Sequence, residues 1–206
     1  CEVYGNTHGF CGESQKTQHG ISCSVIGQTN GSMQRDYWYS ASRRRQDLED
    51  PSEIGRTAGA RTVRRLGARK LNTCRVPVLF EAPVASSLLS HFIGAISGGA
   101  LYRKASFLLG HLGKSVFPDF VQIHEQPLLP RAMGSAAFDS EGVATKARDI
   151  VADGVLEGYV LGSYSARRLG LETTGNAGGV HNLTIDPGRE DLPGLIKTLG
   201  RGLLVT

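Results

Sequence analysis

His91 is the one titratable side chain in a long, mostly apolar run, Pro83-Val84-Ala85-Ser86-Ser87-Leu88-Leu89-Ser90-His91-Phe92-Ile93-Gly94-Ala95-Ile96-Ser97-Gly98-Gly99. Histidine titrates near neutrality and binds metals through its ring nitrogens, so it is the group in this stretch with chemistry to offer. A zinc helix of the common protease type reads His-Glu-x-x-His, with the second His one turn on and the Glu as general base. Here Phe92 follows His91 and Ala95 stands one turn on. Neither can ligate a metal or move a proton. On its residues alone the run is a helix with one polar member, and a core histidine with its polar atoms satisfied is the simpler role. His91, His124 and His181 with Glu125 or Glu141 would suffice for zinc only if the fold converged them, and their spacing does not predict that. Cys–His nucleophilic catalysis would need a pair in space. Nothing singles out Cys23 or Cys74 for it.

The element that must position His91 reads as a buried helix. Pro83 fits the first helical position, where a missing N–H costs nothing. Leu88, Phe92 and Ile96 recur every four residues beside a row of Ala85, Leu89 and Ile93, giving a wide apolar face that predicts burial of Phe92. Gly98 and Gly99 read as its stop. Upstream, Ile21–Ile26 and Asp36–Tyr39 flank Asn30-Gly31, a strong hairpin signal. Tyr37-Trp38-Tyr39 reads as a sheet face packed on a core, and Gly5–Gly9 as a turn. Asp50-Pro51-Ser52-Glu53 opens a helix with a cap, a proline and a capping box. It continues through Ile54, Ala58, Arg61, Val63 and Leu66 to about Lys70. Its other side carries Arg56, Arg64, Arg65, Arg69 and Lys70. Downstream, Val76–Phe80 and Phe120–Glu125 read as strands. Arg148–Ala152 and Val155–Leu161 form a second hairpin over Asp153-Gly154, and Asp191–Leu199 is a short helix. The expected class is α+β: mixed and antiparallel β hairpins with a central buried helix. The expected division is a hairpin region plus basic helix over 1–75 and a central-helix and β region over 76–206.

The chain has 206 residues, 40% hydrophobic and 20% charged, with 27 glycines and a net charge of +4. Its apolar runs are too short and too broken by Gly and Ser to span a bilayer. The four cysteines, Cys1, Cys11, Cys23 and Cys74, lack C-x-x-C spacing, and reduced cytosolic thiols are the expectation. The arginines between Arg43 and Arg75 suggest a basic face. That face is either a nucleic-acid surface or a solvated helix side with cations near its C-terminus. Ser97-Gly98-Gly99 with Arg103-Lys104 lacks the order of a phosphate loop and follows a helix rather than a strand. Cys1 at the start and the apolar run Gly202–Thr206 at the end read as an internal fragment.

Four segments carry a resemblance. His91–Phe107, Phe138–Val143 with Gly162–Arg167, and Thr174–Asn182 are similar to the PmbA (TldE) branch of the TldD/PmbA family, bacterial cytosolic proteins of metalloprotease type. The TldD branch has His-Glu-x-x-x-His at the position of His91. Of that motif only His91 matches; Phe92 replaces the Glu and Ile96 the second His, so no metal set is expected here. The family's two His would lie about 140° apart on an ideal helix, and that branch needs a bulge or bend to converge them. The resemblance implies no cofactor in this chain, zinc in a TldD-type partner subunit, a peptide substrate and a cytoplasmic location. It points to His181 and Asn182 as candidate substrate-binding residues, with no catalytic residue beyond the degenerate position His91. The broken apolar runs predict no membrane partner, and the lack of aromatic interleaving or a known motif argues against nucleic acid. The reading from a different class is a stand-alone peptide- or nucleic-acid-binding protein without a peptidase role.

Overall fold

In this computed structural model, which describes residues 1–206, Gly5–Gly9 turns the chain between β1 (Glu2–Gly5) and β2 (Cys11–Ser14). The Asn6 side chain fastens the turn by accepting from His8 N at 3.0 Å and Phe10 N at 3.2 Å. The second turn has the same logic. Asn30 (φ 47°) and Gly31 (φ 77°) lie in the left-handed region that a two-residue primed turn requires. They join β3 (His19–Thr29) to β4 (Ser32–Ser42) in register, Thr29 opposite Ser32.

The chain divides into two units. The smaller comprises residues 1–2, 14–73 and 130–133, and the larger 3–13, 74–129 and 134–206. The sequence division at 75 places residues 3–13, 74–75 and 130–133 differently. Tyr4 and Phe10 cluster with Phe138 of the larger unit, with the Phe10 and Phe138 rings 5.2 Å apart. Arg43 of the smaller unit donates to the carbonyls of Ala132 and Met133.

In the smaller unit, α1 (Pro51–Arg65) covers one face of the β3–β4 ribbon with Ile54, Ala58 and Thr62 buried. Asp50 caps it by accepting from Ser52 N at 2.8 Å, while Glu53 pairs with Arg56 at 2.6 Å. Thr62, one position from the expected Val63, completes the inner row. The true repeat is every four residues from Ile54, and Val63 falls outside it at 64% exposure. Thr62 Oγ1 donates to Ala58 O at 2.8 Å. A Cβ on Gly27 would come within 3.1 Å of the Thr62 methyl, so the helix sits close on the strand. The helix stops at Arg65, short of Lys70, with Gly67 left-handed just beyond. Of the three aromatics Tyr37-Trp38-Tyr39, only Trp38 turns toward the helix side. Strand alternation puts Tyr37 and Tyr39 on the open face, stacked 6.3 Å apart.

In the larger unit, β6 (Ile123–Glu125) pairs antiparallel with β7 (Arg148–Ala152) and with β9 (Leu183–Ile185), and β7 turns into β8 (Val155–Leu156) over Asp153 (φ 49°) and Gly154 (φ 73°). The sheet order is β8-β7-β6-β9. A separate parallel pair joins β5 (Val78–Phe80) to β10 (Leu203–Val205). Between them α5 (Leu192–Leu199) is capped by Asp191, whose side chain accepts from Gly194 N at 2.8 Å. Ile96, Leu101, Ile123, Ile150, Leu156 and Leu161 form the buried centre of this unit. The class is α+β, as the patterning predicts.

The central helix differs from expectation in burial. As α2 (Ala82–Ala95) it holds no fully buried residue. Leu88 is 49% exposed, and only Leu89, Phe92, Ile93 and Ala95 lean on the core from one side. Gly98 and Gly99 do not stop it. Ile96 ends α2, Ser97 breaks the axis, and the two glycines open α3 (Gly98–Tyr102). A side chain at Gly98 would collide with Ser165 of α4 (Ser163–Leu169), so glycine is needed here for close helix packing. No helix is long and apolar enough to cross a membrane.

Candidate functional site

The end of α2 sets the three motif positions apart. His91 is exposed to solvent. Phe92 turns inward and meets Phe117 edge to face, ring centroids 5.0 Å apart. Ile96 is fully buried, and its carbonyl accepts from Val160 N at 3.1 Å. A zinc site at this place would need the second and third positions to be polar and to share His91's direction. The residues present do not fit one.

The other candidate ligands are held elsewhere. His124 stands between two carboxylates, with Nδ1 2.6 Å from Asp149 Oδ1 and Nε2 3.1 Å from Asp186 Oδ1. The hydrogen bond to Asp149 raises its pKa above the ordinary histidine value; desolvation opposes this and Asp186 reinforces it. His181 lies across β6 from it, against Glu125. The chain brings together no group of three or more His, Cys, Asp or Glu side chains placed to hold a metal ion.

What the fold does bring together is a buried polar network. Glu125 is 1% exposed. Its Oε2 accepts from Arg148 Nε at 2.9 Å. Its Oε1 accepts from Asn176 Nδ2 at 2.7 Å and His181 N at 2.8 Å. Arg148 also donates to Tyr159 O at 2.8 Å and Asn176 Oδ1 at 2.9 Å. A carboxylate this deep is tolerable only with such a full set of donors. Asn182 continues the fastening, donating to Gln126 O at 2.9 Å and accepting from Gly134 N at 2.8 Å. His181 and Asn182 therefore use these polar atoms to pin one loop, 174–182, to β6.

That loop walls a cleft of about 370 Å³. Gly178 and Gly179 form one side, Ser97–Gly99 another, and Glu141 and Tyr164 stand at its margins. Asp139, 4% exposed, knots the walls together. Its Oδ1 accepts from Glu141 N at 2.9 Å and its Oδ2 from Ala177 N at 2.9 Å. Sequence reading missed Glu125, Arg148 and Asn176 as a joined set, and Glu141 as a cleft residue held by Asp139 and Ser163. The adjacent glycines 178 and 179, after a Gly-Asn turn, were the available signal. A wider depression of about 850 Å³ in the smaller unit is bordered by Gln18, His19, Arg45 and Glu49. It contains no comparable buried polar network.

The family model for the PmbA/TldA metallopeptidase C-terminal domain matches residues 73–206, and that for the central domain matches residues 2–66. The chain belongs to the PmbA/TldA metallopeptidase family. It is 46% identical over its whole length to the metalloprotease PmbA of Escherichia coli O157:H7, and 46% identical to the PmbA homolog of Haemophilus influenzae. It covers 46% of each, so it spans about half the length of these relatives. Over 49% of the chain it is also 32% identical to the TldD homolog of Haemophilus influenzae. A crystal structure from Bacteroides thetaiotaomicron, described as a proposed modulator of DNA gyrase, superposes with a TM-score of 0.91 at 33% identity, over 97% of this chain and 45% of that one. TldE from Thermococcus kodakarensis shares the fold, with a TM-score of 0.76 at 23% identity, over 91% of this chain and 45% of that one. Both units of the PmbA/TldA chain described above thus have counterparts in solved structures.

Proposed function

We propose that this chain is part of a PmbA/TldE-like subunit of a cytoplasmic TldD/PmbA-type metalloprotease assembly, acting in peptide proteolysis or maturation while a TldD-type partner supplies the zinc. The observation that carries the reading is the state of the motif helix inside a chain of this family. His91 is retained on the surface, while Phe92 and Ile96 are packing residues where a base and a ligand would be needed. The metal, where present in the assembly, would activate water from the partner's side. This chain would contribute binding surface and cleft walls.

Two of the arginines of α1 serve the packing of the smaller unit rather than a nucleic-acid surface. Arg61 and Arg65 both lie 3.4 Å from the buried Asp36 carboxylate, and Arg61 also stacks over Trp38 at 5.3 Å. These cations fasten α1 to β4.

The test is to purify the chain with and without a zinc-bearing TldD-type homologue and follow hydrolysis of an unstructured peptide. Co-purification and chelator-sensitive cleavage only in the mixture are expected. Chelator-sensitive cleavage by this chain alone overturns the division of labour.

A further inference from the structure

We propose that the cleft between Gly98 and Gly178 binds an extended peptide through an alkylammonium group, with Glu141 as the counter-charge; this deepens the peptide-handling reading above and rests on it. Glu141 is half-buried and its backbone is fixed by Asp139. Its Oε2 accepts from Ser163 N at 2.8 Å. Its Oε1 borders Gly162, where a Cβ would lie 3.6 Å away, and makes no hydrogen bond or ion pair within the chain. The carboxylate is thus oriented and partly desolvated, with one oxygen open to the cleft. Such an oxygen makes a charge-assisted hydrogen bond to a cation with little further ordering.

The rest of the cleft suits a main chain. Gly178 (φ 99°) and Gly179 (φ 126°) hold conformations that L side chains rarely adopt; a Cβ on Gly178 would run into Ser140 Oγ, while one on Gly179 would stand in open space, so Gly179 presents bare backbone along the cleft. Gly178 leaves its N–H without a partner in the chain. Tyr102 and Tyr164 meet edge to face, 5.6 Å apart, and Tyr164 is 60% exposed. The exposed Tyr164 ring offers an aromatic wall to the residue that carries the ammonium, while Tyr102 is taken by Arg103. Arg103 lies over Tyr102 at 5.4 Å, and a Cβ on Gly99 would be 3.6 Å from its guanidinium. That cation repels an ammonium and attracts carbonyl oxygens. The ligand therefore runs with its ammonium at Glu141 and its carbonyls toward α3. A volume of about 370 Å³ accommodates roughly two residues of such a chain.

An ammonium has two sources in a peptide, the amino terminus and a lysine side chain. Fluorescence anisotropy on the 206-residue chain separates them with three labelled peptides of one unstructured sequence. One has a free amino terminus and no lysine, one is acetylated with a single lysine, and one is acetylated without lysine. At least one ammonium-bearing peptide is expected to bind about tenfold tighter than the blocked peptide, the effect of one charge-assisted hydrogen bond at a half-exposed site. Glu141→Gln keeps an acceptor for Ser163 N–H and is expected to abolish the difference without moving the thermal midpoint. Should that variant fail to fold, n-butylammonium on the unmodified chain takes its place. It is expected to displace the peptide where n-butanol does not. Equal affinity for all three peptides, no binding by any, an unchanged preference in folded Glu141→Gln, or equal competition by butanol each overturn the proposal. The cleavage assay with a zinc-bearing partner judges the broader reading separately, because it scores hydrolysis rather than ammonium preference.

Discussion

Glu125 and Arg148 stand opposite each other on β6 and β7, and their side chains meet at 2.9 Å with the carboxylate almost wholly withdrawn from water. The pair does more than join two strands. Through Asn176 and His181 it sets the loop whose glycines wall the cleft.

Arg148→Met is therefore expected to destabilise the chain by about 3–5 kcal/mol, the usual cost of leaving a buried charge without its partner. Urea titration checks the magnitude. A loss below about 1 kcal/mol would mean that Asn176 and His181 alone satisfy Glu125.

This network also marks the boundary of what the sequence could disclose. The turns were legible because their signal is local: Asn30, Gly31, Asp153 and Gly154 each need positive φ, and these residue types adopt it readily. The cap at Asp50 is local for the same reason. Glu125 finds Asn176 and His181 from 51 and 56 residues away, and no periodicity encodes such a meeting. Helical period predicted α2 and its apolar row. It does not tell how deeply that row is covered, which depends on what packs against it from distant parts of the chain. Gly98 reads as a stop because nothing nearby in sequence announces Ser165, whose side chain occupies the space a Cβ would need.

Phe92→Ala tests the half-burial of α2. Phe92 keeps its edge-to-face contact with Phe117 yet remains only partly covered. The expected loss is about 2–3 kcal/mol, at or below the bottom of the range for emptying a fully buried aromatic site. A loss above about 4 kcal/mol in urea would show that the helix is more deeply covered in solution.

The Asp149–His124–Asp186 arrangement predicts a pH dependence. His124 has a folded-state pKa above its unfolded value, chiefly through Asp149. Its contribution to stability is therefore fully present below the unfolded value, about 6.5, and is lost as pH rises through the higher folded value. Thermal midpoints of the parent chain and of His124→Gln should differ most at mildly acid pH and converge toward alkaline pH. NMR titration of the His124 ring checks the direction independently. A midpoint at or below the free-histidine value would remove the basis for the effect.

Metal content follows from the motif positions. After dialysis the purified chain is expected to hold no stoichiometric zinc by elemental analysis, because His91 has neither partner residue on α2 and His124 and His181 are engaged by Asp149 and Glu125. One tightly bound zinc per chain would require a ligand set assembled from packing and fastening residues.

Restoring the motif should not be enough to make a peptidase. Phe92→Glu with Ile96→His would rebuild His-Glu-x-x-x-His from His91. The structure adds specific obstacles to the arithmetic of ligands. Ile96 is fully buried, so a histidine there enters an apolar core without a polar partner. The carboxylate introduced by Phe92→Glu would enter the face that packs on Phe117. His91 meanwhile points to solvent, so the rebuilt pair starts out divergent. A catalytic zinc normally holds three protein ligands and a water, and the outer hydrogen bonds that orient such ligands are missing as well. The expected double variant is less stable than the parent, binds zinc weakly and cleaves no peptide by itself. The measurements are its urea midpoint, its zinc affinity and its hydrolysis of an unstructured peptide with a chelator control. Chelator-sensitive turnover by the double variant alone would show that the third ligand and its support already stand within reach of α2, and that the packing of Phe92 and Ile96 was the only barrier to catalysis.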